Sequence, residues 1–513
     1  MNGAESLAQT LIAGGVRTCF TNPGTSEMHF VSALDRTAEM RCVLCLFEGV
    51  ATGAADGFAR MTDMPAATLL HLGPGLANGL ANLHNASRAQ TPIVNIVGDH
   101  AIRHRKHDAP LASDIESAAR TVSAWVRTSQ SAASIGQDTA DAIVASRTPP
   151  GGVATLMLPA DVAWSEGTGP VKVPAPPARA PVSQDAIREA ANLLRKGDAP
   201  VLLLYGPALR GRGLAAAGRI AAATGVALLG EMSNARLERG AGRIDIDRVP
   251  YVVEQAVEKL KPYRTIVLAG AKAPVAFFAY PDKPGELWQP GARIHTLATR
   301  EQDIVQALEA LADELGAKKD APAAQASRPP VPSGAITLDS IGAAVGALLP
   351  ENAIVVDESI TSGRGLFAFT KGAPPHDWLQ NRGGSIGYGP PVATGAAVAC
   401  PDRKVIALEG DGSAMYTLQA LWTQAREGLN VVTVIFANRS YRILRNEMSN
   451  MRLGNPGPKA LDMLELRRPE LDWVKLAAGM GVQGSRVDTI DEFVRDFGRA
   501  LRTEGPYLIE MVF

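Results

Sequence analysis

Short apolar runs recur along the whole chain and alternate with longer stretches that are rich in Ala and Leu. Examples of the runs are TPIVNIVG, APVLLLYG, RTIVLAG, KVIALEG and NVVTVIFAN. Near-continuous apolar runs of about four to eight residues predict strands that are buried on both faces, which is typical of parallel sheets covered by helices. The pattern therefore predicts an α/β fold of doubly wound parallel sheets, in which ligands bind beyond the carboxyl ends of the strands.

Two stretches that are rich in Pro and Ala interrupt this periodic pattern. They are VKVPAPPARAPVS at residues 171–183 and GAKKDAPAAQASRPPVPSG at residues 316–334. Such a composition favours extended, solvated linkers over packed elements. The stretches divide the chain of 513 residues into three predicted α/β domains at residues 1–170, 184–315 and 335–513.

The charges of the chain nearly cancel, with 51 Lys and Arg against 52 Asp and Glu, and neither sign forms a long block. This balance gives no reason to expect a nucleic acid or an anionic membrane as partner, and it favours a small-molecule ligand. No apolar run approaches the ~18 residues of a membrane span, and the amphipathic N-terminus lacks the basic start of a signal peptide. We therefore expect a cytoplasmic protein.

The chain holds four cysteines, Cys19, Cys42, Cys45 and Cys400. They are too few for a disulfide framework and fit a reducing compartment. Cys42 and Cys45 form a CxxC, but it lies in RCVLCLF, which has the pattern of a buried strand. Because no second cysteine pair or histidine pair accompanies it, we interpret both as inert core thiols rather than as zinc ligands or a redox pair.

A metal-diphosphate site is indicated where two predicted strands end in the last domain. KVIALEGDGSAMY places Asp411 between two glycines after one strand, and NVVTVIFANRSY ends the next strand at Asn438. Neighbouring parallel strands end side by side, so a carboxylate and an amide oxygen would meet Mg²⁺ together with phosphate oxygens. Ser413 and a helix expected from about Ala414 would add a hydroxyl and a positive dipole end. Ordinary turn chemistry is the alternative explanation for either residue alone.

The first domain carries candidate acid–base groups in the same kind of position. Glu48 follows an apolar strand in RCVLCLFEGVATGAADGFAR, where a carboxylate would be shielded from water and suited to proton exchange near neutral pH. A helix-capping acid is the alternative for Glu48. His71 follows another strand, in LLHLGPGLANG, and would act as an acid or base unless it is structural. TNPGTSEM, at residues 21–28, forms a third loop of this kind.

Glu48 in the first domain, together with the GDG motif and Asn438 in the last, resembles the thiamine-diphosphate (ThDP) enzymes of the 2-oxo acid decarboxylase and acetolactate synthase superfamily. The resemblance covers essentially the whole chain and implies a pyrimidine-binding domain, a central domain and a diphosphate-binding domain, in that order. It implies a lyase or carboligase that decarboxylates a 2-oxo acid through a thiazolium carbanion, with ThDP and Mg²⁺ as cofactors. It further implies a homodimer or homotetramer with each active site between two subunits.

The resemblance assigns roles to residues on the pyrimidine side. Glu48 matches the glutamate that hydrogen-bonds N1′ of the aminopyrimidine. His71 and Thr25 match catalytic or substrate-contacting positions. The other residues implied on this side of the cofactor are Pro23, Gly24 and Asn78.

On the diphosphate side, the resemblance implies three metal ligands, which are Asp411, Asn438 and the carbonyl of Ser440. Ile386 matches the apolar residue that props the cofactor into its bent shape, and Gly384 matches a position whose carbonyl meets the 4′-amino group. The other implied cofactor contacts are Thr361, Gly412, Ser413, Asn438 and Tyr441.

The positions that would decide the substrate match no single member of the superfamily. The spacing from His71 to Asn78 resembles benzoylformate decarboxylase, but Phe277 and Phe278 stand where that enzyme has a second active-site histidine. Glu447 replaces the tryptophan that selects the acceptor in acetolactate synthases. The residues expected to decide the substrate are Thr25, His71, Leu111, Phe277, Phe278, Ile443, Leu444 and Glu447.

Three alternatives to a non-oxidative 2-oxo acid lyase or carboligase agree less well with the sequence. A flavin-assisted oxidase occurs in the same superfamily, but the central segment lacks a GxGxxG and the family's FAD signature, so FAD is not expected. A non-enzymatic paralogue would be expected to have lost Glu48 or Asp411, and both are present. A dinucleotide site at LLLYGPALRGRG is disfavoured because its glycines are misplaced and no acidic residue ends the next strand at ~20 residues.

Overall fold

The computed structural model describes residues 1–513 and contains three open sheets covered by helices. The strands within each sheet run parallel, apart from one edge strand in the last sheet. Two central strands, Val405–Gly410 and Val431–Ala437, are buried at every residue. Their continuous apolar sequence is explained by helices on both faces of the sheet, and the predicted α/β class is confirmed.

The first sheet is formed by residues of the N-terminal domain. Its strands are β1 Thr18–Asn22, β2 Arg41–Leu44, β3 Ala66–Leu70, β4 Ile93–Asp99, β5 Trp125–Thr128 and β6 Val153–Pro159, in the order β2-β1-β3-β4-β6-β5. The helices are α1 Gly3–Ala13, α2 Met28–Asp35, α3 Glu48–Thr62, α4 Leu72–Ala89, α5 Ile115–Arg120, α6 Ile135–Arg147 and α7 Ala160–Trp164.

The second sheet takes five of the six strands that follow. The strands of this segment are β7 Pro200–Leu204, β8 Ala227–Gly230, β9 Leu237–Arg239, β10 Asp247–Arg248, β11 Thr265–Ala269 and β12 Arg293–Ala298, and the sheet has the order β10-β8-β7-β11-β12. The helices are α8 Gln184–Lys196, α9 Gly211–Thr224, α10 Val253–Leu260 and α11 Ile304–Glu314. The remaining strand, β9, leaves this segment and joins the third sheet.

The third sheet is formed by the C-terminal segment and β9. Its own strands are β13 Ile354–Glu358, β14 His376–Gln380, β15 Val405–Gly410, β16 Val431–Ala437, β17 Gln483–Val487 and β18 Tyr507–Val512, in the order β17-β18-β16-β15-β13-β14-β9. The helices are α12 Leu338–Leu348, α13 Leu366–Phe369, α14 Gly389–Ala399, α15 Asp411–Ala414, α16 Ala420–Arg426, α17 Arg442–Asn450, α18 Pro458–Asp462, α19 Trp473–Gly479 and α20 Ile490–Arg502. β9 pairs with β14 in the antiparallel direction, so the central and last segments share one sheet edge.

The first and last domains are joined by the close packing of α3 against α14. A Cβ atom added at Gly57 would lie 2.1 Å from the carbonyl oxygen of Val392, and one added at Gly395 would lie 1.8 Å from that of Ala54. Only glycine permits backbones to approach this closely. The Gly- and Ala-rich sequence of both helices therefore fixes the relative position of the two domains within the chain.

Two local predictions differ from the structure. The helix expected from about Ala414 is wrong, because α15 begins at Asp411 and ends at Ala414, and the next helix begins only at Ala420. The core position expected for Cys42 is also wrong, because β2 is an edge strand and Cys42 is exposed on it. All four cysteines are free, and burial raises the pKa of the Cys45 thiol to about 12, which leaves it unreactive.

No helix of the structure combines the length and the apolar composition that crossing a membrane requires.

Candidate active site

Glu48 lies at the carboxyl edge of the first sheet, as the first residue of α3. Its side chain is buried, with the residue 7% exposed, and its Oε2 accepts a hydrogen bond of 3.0 Å from Nδ2 of Asn78 on α4. A Cβ atom added at Gly75 would lie 3.1 Å from Oε1 of Glu48, so this glycine leaves room beside the carboxylate. Phe47, not Glu48, occupies the N-cap position of α3, but Glu48 lies in the first turn, where a carboxylate also interacts favourably with the helix dipole.

His71 stands at the start of α4 and is held by a buried carboxylate. Its Nδ1 lies 2.9 Å from Oε2 of Glu27, whose side chain is inaccessible to solvent. The same oxygen of Glu27 accepts the N–H of Gly24 at 2.8 Å, and Oε1 accepts the hydroxyl of Ser26 at 2.6 Å. Oγ of Ser26 is also 3.3 Å from Nδ1 of His71. The imidazole is therefore oriented by a fixed acid, as a general acid–base histidine requires.

Glu27 and Ser26 are functional candidates that sequence reasoning missed. Thr25, predicted at this place, is exposed and makes no side-chain hydrogen bond, whereas its neighbour Ser26 reaches the imidazole. The backbone of Gly24 packs on the ring, since a Cβ atom there would lie 2.1 Å from the His71 ring. Pro23 precedes it in the same turn. The available signal was an acid three residues after a Pro-Gly turn, a spacing at which a carboxylate can return to the turn N–H groups.

Asp411 and Asn438 follow the neighbouring strands β15 and β16, as the strand–helix–strand order predicts. Oδ1 of Asp411 accepts the N–H of Gly412 at 2.9 Å, and Oδ2 accepts that of Arg439 at 2.6 Å. Burial raises the pKa of the Asp411 carboxyl to about 6, although these N–H groups act in the opposite direction. Oδ1 of Asn438 accepts the N–H of Ser440 at 3.0 Å. The structure thus brings the three predicted metal ligands into one turn region.

The oxygens of this turn region fit a magnesium diphosphate. They comprise one carboxylate, one amide and one backbone carbonyl, which are hard donors of the kind that Mg²⁺ takes alongside phosphate oxygens. No group of three or more His, Cys, Asp or Glu residues stands ready to hold a metal by itself. The hydroxyl of Ser413 makes no hydrogen bond within the protein. Gly412 lies against the ring of Tyr441, because a Cβ atom added at Gly412 would be 2.6 Å from Cε1 of that ring. The donors are therefore few and would be completed by the diphosphate.

Left-handed backbone occurs beside candidate residues in three places. Each such residue carries a side chain, so the conformation costs about 1–3 kcal/mol and persists only where its surroundings impose it. The pairs are Leu72 (φ 47°) beside His71, Ile360 (φ 50°) beside Thr361 and Arg439 (φ 56°) beside Asn438. Seven other side-chain-bearing residues of the chain also have a positive φ, so the strain shows only that these three turns are held in fixed conformations.

The segment that carries Gly384 and Ile386 is held by a second buried acid that sequence reasoning missed. Glu358, at the end of β13, accepts three backbone N–H groups at 2.8–3.2 Å, those of Gly387, Tyr388 and Gly389. Burial raises the pKa of Glu358 to about 7, while these N–H groups lower it. Its position at a strand end, in DESITSG, was the same signal that singled out Asp411.

A third acid, Glu409, lies beside Glu358 on the neighbouring strand β15. It is completely buried, and neither of its carboxyl oxygens lies within hydrogen-bond distance and geometry of a partner. Burial, and then the charge of Glu358, raise the pKa of Glu409 well above its usual range. Both effects disfavour the charged form of Glu409 beside Glu358 in the core.

The residues expected to decide the substrate are mostly apolar and accessible. Phe277 and Phe278 of the central domain are 46% and 49% exposed, and Leu111 and Leu444 are also exposed. Ile443, Leu444 and Glu447 share helix α17, directly after the metal-site turn. Within one chain, Glu48 and Asn78 form no hydrogen bond with any of the proposed metal ligands, whereas Asn82 and Asn85 of α4 bond to the segment that carries Gly384 and Ile386. We call the pyrimidine-side residues and the diphosphate-side residues the two halves of the candidate site.

Two family profiles match the ends of the chain. The profile described as "Thiamine pyrophosphate enzyme, N-terminal TPP binding domain" matches residues 1–118, and the one described as "Thiamine pyrophosphate enzyme, C-terminal TPP binding domain" matches residues 363–511. These two ranges contain the two halves of the candidate site, apart from Glu358 and Thr361.

Proteins that match this chain over nearly their whole length are named as acetolactate synthase or as benzoylformate-type decarboxylases. The chain is 54% identical to a Mycobacterium tuberculosis protein provisionally named acetolactate synthase large subunit IlvX, over 100% of this chain and 99% of the relative. It is 29% identical to benzoylformate decarboxylase of Pseudomonas aeruginosa, over 97% and 96% of the two chains. Among solved structures, the ThDP-dependent 4-hydroxybenzoylformate decarboxylase of Rhodococcus jostii superposes with a TM-score of 0.87 and 26% identity, over 99% and 98% of the chains.

Proposed function

The chain belongs to the thiamine pyrophosphate enzymes, in the group that contains acetolactate synthase large subunits and benzoylformate decarboxylase, and from this premise we propose that it decarboxylates a 2-oxo acid with ThDP and Mg²⁺. The observation that carries the proposal is the buried Glu48 carboxylate, whose one side-chain partner is Asn78. A carboxylate kept from water and from cations is suited to exchange a proton with a bound ring nitrogen.

The residues of the chain divide the work of such a reaction. Bound ThDP would supply the electron sink that accepts the electrons of the C–C bond to the carboxylate as CO₂ leaves. Glu48 would hold a proton at N1′ of the aminopyrimidine. Asp411, Asn438 and the carbonyl of Ser440 would hold Mg²⁺ and the diphosphate. His71, oriented by Glu27, would exchange a proton with the substrate or product.

Glu358 would act on the cofactor through the backbone. By fixing the N–H groups of residues 387–389, it holds the segment on which Gly384 would present its carbonyl to the 4′-amino group. Ile386, on the same segment, would support the bent cofactor. Glu358 is therefore proposed as a positioning residue rather than a catalytic one.

We propose that the working unit is a cytoplasmic homodimer or homotetramer. Glu48 and Asn78 make no hydrogen bond to the proposed metal ligands of the same chain, and the two sets of residues carry groups for opposite ends of the cofactor. A second copy that offers the opposite half would complete the site, and a two-fold arrangement would complete two sites at once.

Two fates of the decarboxylated substrate remain candidates. Protonation would release an aldehyde, as the name of benzoylformate decarboxylase implies for that relative. Ligation to a second carbonyl compound would give a hydroxyketone, and the name of the 54% identical relative favours this fate. FAD is not proposed for either fate.

The test is a screen of 2-oxo acids with the purified protein, ThDP and Mg²⁺. CO₂ release is measured first, and product masses are then compared with and without an added aldehyde. We expect CO₂ release that requires both ThDP and Mg²⁺, and a protein without a flavin absorption band in the visible range. A protein that binds ThDP but releases CO₂ from no 2-oxo acid would contradict the proposal.

A further inference from the structure

A cavity of about 530 Å³ opens at the carboxyl edge of the first sheet. Its walls come from segments that follow three strands of this sheet, β1, β4 and β6. Ser26 follows β1, a segment at residues 100–107 follows β4, and Ala160 and Trp164 belong to α7, which follows β6. The cavity therefore lies at the edge where parallel sheets bind their ligands.

The segment at residues 100–107, HAIRHRKH, gives this cavity positive charge without negative charge. It contains two arginines, one lysine and three histidines, and no acidic residue lines the cavity. Arg105 is neutralised, because its Nη2 lies 2.5 Å from Oδ2 of Asp99. Arg103 and Lys106 line the cavity and pair with no acid. Two cations of the wall thus have no counter-ion within the chain.

The three histidines of the segment stand in a row beside these cations. The ring centres of His100 and His104 are 5.7 Å apart, and those of His104 and His107 are 5.3 Å apart. Nε2 of His100 is shielded from solvent and has no hydrogen-bond partner. Positive charges gathered this closely repel one another, and an anion among them would offset the repulsion. The wall is therefore suited to an anion.

The cavity shares a wall with the cluster that orients His71. Ser26 lines the cavity, and its Oγ lies 3.3 Å from Nδ1 of His71. Gly98, next to the last residue of β4, packs on Glu27, because a Cβ atom added at Gly98 would overlap Oε1 of that carboxylate. The strand that leads into the basic segment thus touches the acid that holds His71. An anion in the cavity would lie beside the pyrimidine-side half of the candidate site.

Trp164 gives the cavity an apolar wall. The residue is 40% exposed, and its ring centre lies 5.7 Å from that of His29. Apolar surface together with a few charged groups is the usual lining of a pocket for small organic molecules. An organic anion could pack its carbon atoms on the indole while its charge meets the cations. This combination distinguishes the cavity from an ordinary solvated basic surface.

We propose that this cavity is a capture site for organic anions, in which Arg103 and Lys106 hold the carboxylate of the 2-oxo acid before it reaches His71. The role in turnover rests on the proposed function, whereas the affinity for anions does not. A cleft lined by charge of one sign concentrates ligands of the opposite sign and speeds their association about 10- to 1,000-fold. The attraction weakens with salt, since the Debye length falls from about 10 Å at 0.1 M to about 3 Å at 1 M.

The first test measures the attraction of anions without turnover. Iodide serves as an anionic quencher of tryptophan fluorescence and acrylamide as a neutral one, at about pH 8, so that the charge comes from arginine and lysine rather than from histidine. Subtracting the emission of a matching Trp164→Phe protein isolates Trp164. Relative to acrylamide, iodide should quench Trp164 at least about threefold more strongly in the wild type than in the double variant Arg103→Gln/Lys106→Gln.

The second test measures KM and kcat with the best 2-oxo acid found in the screen. Arg103→Gln/Lys106→Gln should raise KM about three- to tenfold and leave kcat unchanged within about twofold, because the two cations meet the substrate before the reaction and not during it. The difference in KM from the wild type should shrink to less than about twofold when the salt concentration rises from about 0.05 M to about 0.5 M.

Arg88→Gln/Lys172→Gln is the matched control. It removes the same two charges from exposed positions that do not line the cavity. It is expected to leave both the quenching by iodide and KM unchanged within about twofold, because charges at a distance are screened by salt. Melting temperatures show whether each variant is folded.

The outcomes separate this inference from the proposed function. Quenching of Trp164 by iodide that Arg103→Gln/Lys106→Gln leaves unchanged would overturn the anion site. A lowered quenching with an unchanged KM, or a KM that Arg88→Gln/Lys172→Gln raises equally, would overturn the capture of the substrate. CO₂ release from no 2-oxo acid would overturn the proposed function and the capture role with it, while the anion site would still be decided by the quenching.

Discussion

The two halves of the candidate site lie at equivalent edges of two parallel sheets but hold their oxygens in different ways. In the first domain, side chains hold side chains: Asn78 donates to Glu48, and Glu27 holds His71. A carboxylate or an imidazole that neighbouring side chains hold in place can exchange a proton with a bound group. The first half is therefore organised for proton transfer even without a ligand.

In the last domain, the oxygens are held by backbone. Asp411 accepts the N–H groups of Gly412 and Arg439, and Asn438 accepts that of Ser440. Backbone donors fix the direction of an oxygen without adding a charge, so its remaining lone pairs stay available to a cation. The difference indicates that one half would handle protons and the other would hold charge, which the following experiments test.

The largest effect is expected from Glu48→Gln in the first half. Glutamine keeps the shape and the contact with Asn78 but cannot hold a proton, so turnover should fall on the order of 10²- to 10⁴-fold. ThDP affinity, measured by calorimetry, should change far less than turnover, measured by CO₂ release. The exposed Glu39→Gln serves as control. Normal turnover in Glu48→Gln would show that the first half does not supply the proton.

A smaller effect is expected from pH in the last half. The pKa of the Asp411 carboxyl is raised to about 6 by burial, and its protonated form cannot bind a metal. Affinity for Mg²⁺ with ThDP should therefore be complete above about pH 6 and fall about tenfold for each pH unit below it.

Asp411→Asn provides the control for this pH dependence. The amide of the variant cannot ionise, so Mg²⁺ with ThDP should bind roughly 10- to 100-fold more weakly. The part of the pH dependence that comes from protonation of Asp411 should also disappear. Titration of the diphosphate itself affects both proteins equally, and the difference between their pH profiles isolates Asp411. Identical profiles in calorimetric titrations would show that Asp411 does not ligate the metal.

The sequence pattern predicted the sheets well because a strand buried on both faces must be continuously apolar, as Val431–Ala437 is. It could not predict that Leu237–Arg239 crosses to the third sheet, because a strand of three residues carries no periodic signal. The helix predicted from about Ala414 was misplaced because the short helix α15 begins directly at Asp411. No change in residue type marks the start of this helix.

Site residues could be predicted where a single residue follows a recognisable strand. The prediction was incomplete where a residue acts by holding another residue. Asp411 and Glu48 follow apolar runs and stand out in the sequence. Glu27 and Glu358 carry comparable local signals, but their roles depend on hydrogen bonds to His71 and to residues 387–389 that only the folded chain brings near. Long-range partners of this kind leave no spacing that a single sequence can display.

The smallest effect is expected from substitutions at Ser26 and Thr25, and comparing the two tests most sharply how the first half is organised. The Ser26 hydroxyl donates to buried Glu27 at 2.6 Å and lies 3.3 Å from Nδ1 of His71, whereas Thr25 is exposed and makes no side-chain hydrogen bond. Ser26→Ala removes a hydrogen bond to a carboxylate and should lower kcat/KM about tenfold. Thr25→Ala removes no hydrogen bond and should change kcat/KM by less than about twofold.

The comparison uses the best 2-oxo acid found in the screen and the melting temperature of each variant. A larger loss in Thr25→Ala than in Ser26→Ala would mean that the closed active site turns Thr25 inward. The first half would then be organised by its ligand, as the last half is, rather than by hydrogen bonds among its own side chains. A loss confined to Ser26→Ala would instead place the Glu27–Ser26–His71 cluster in the proton-transferring half, already assembled before any substrate binds.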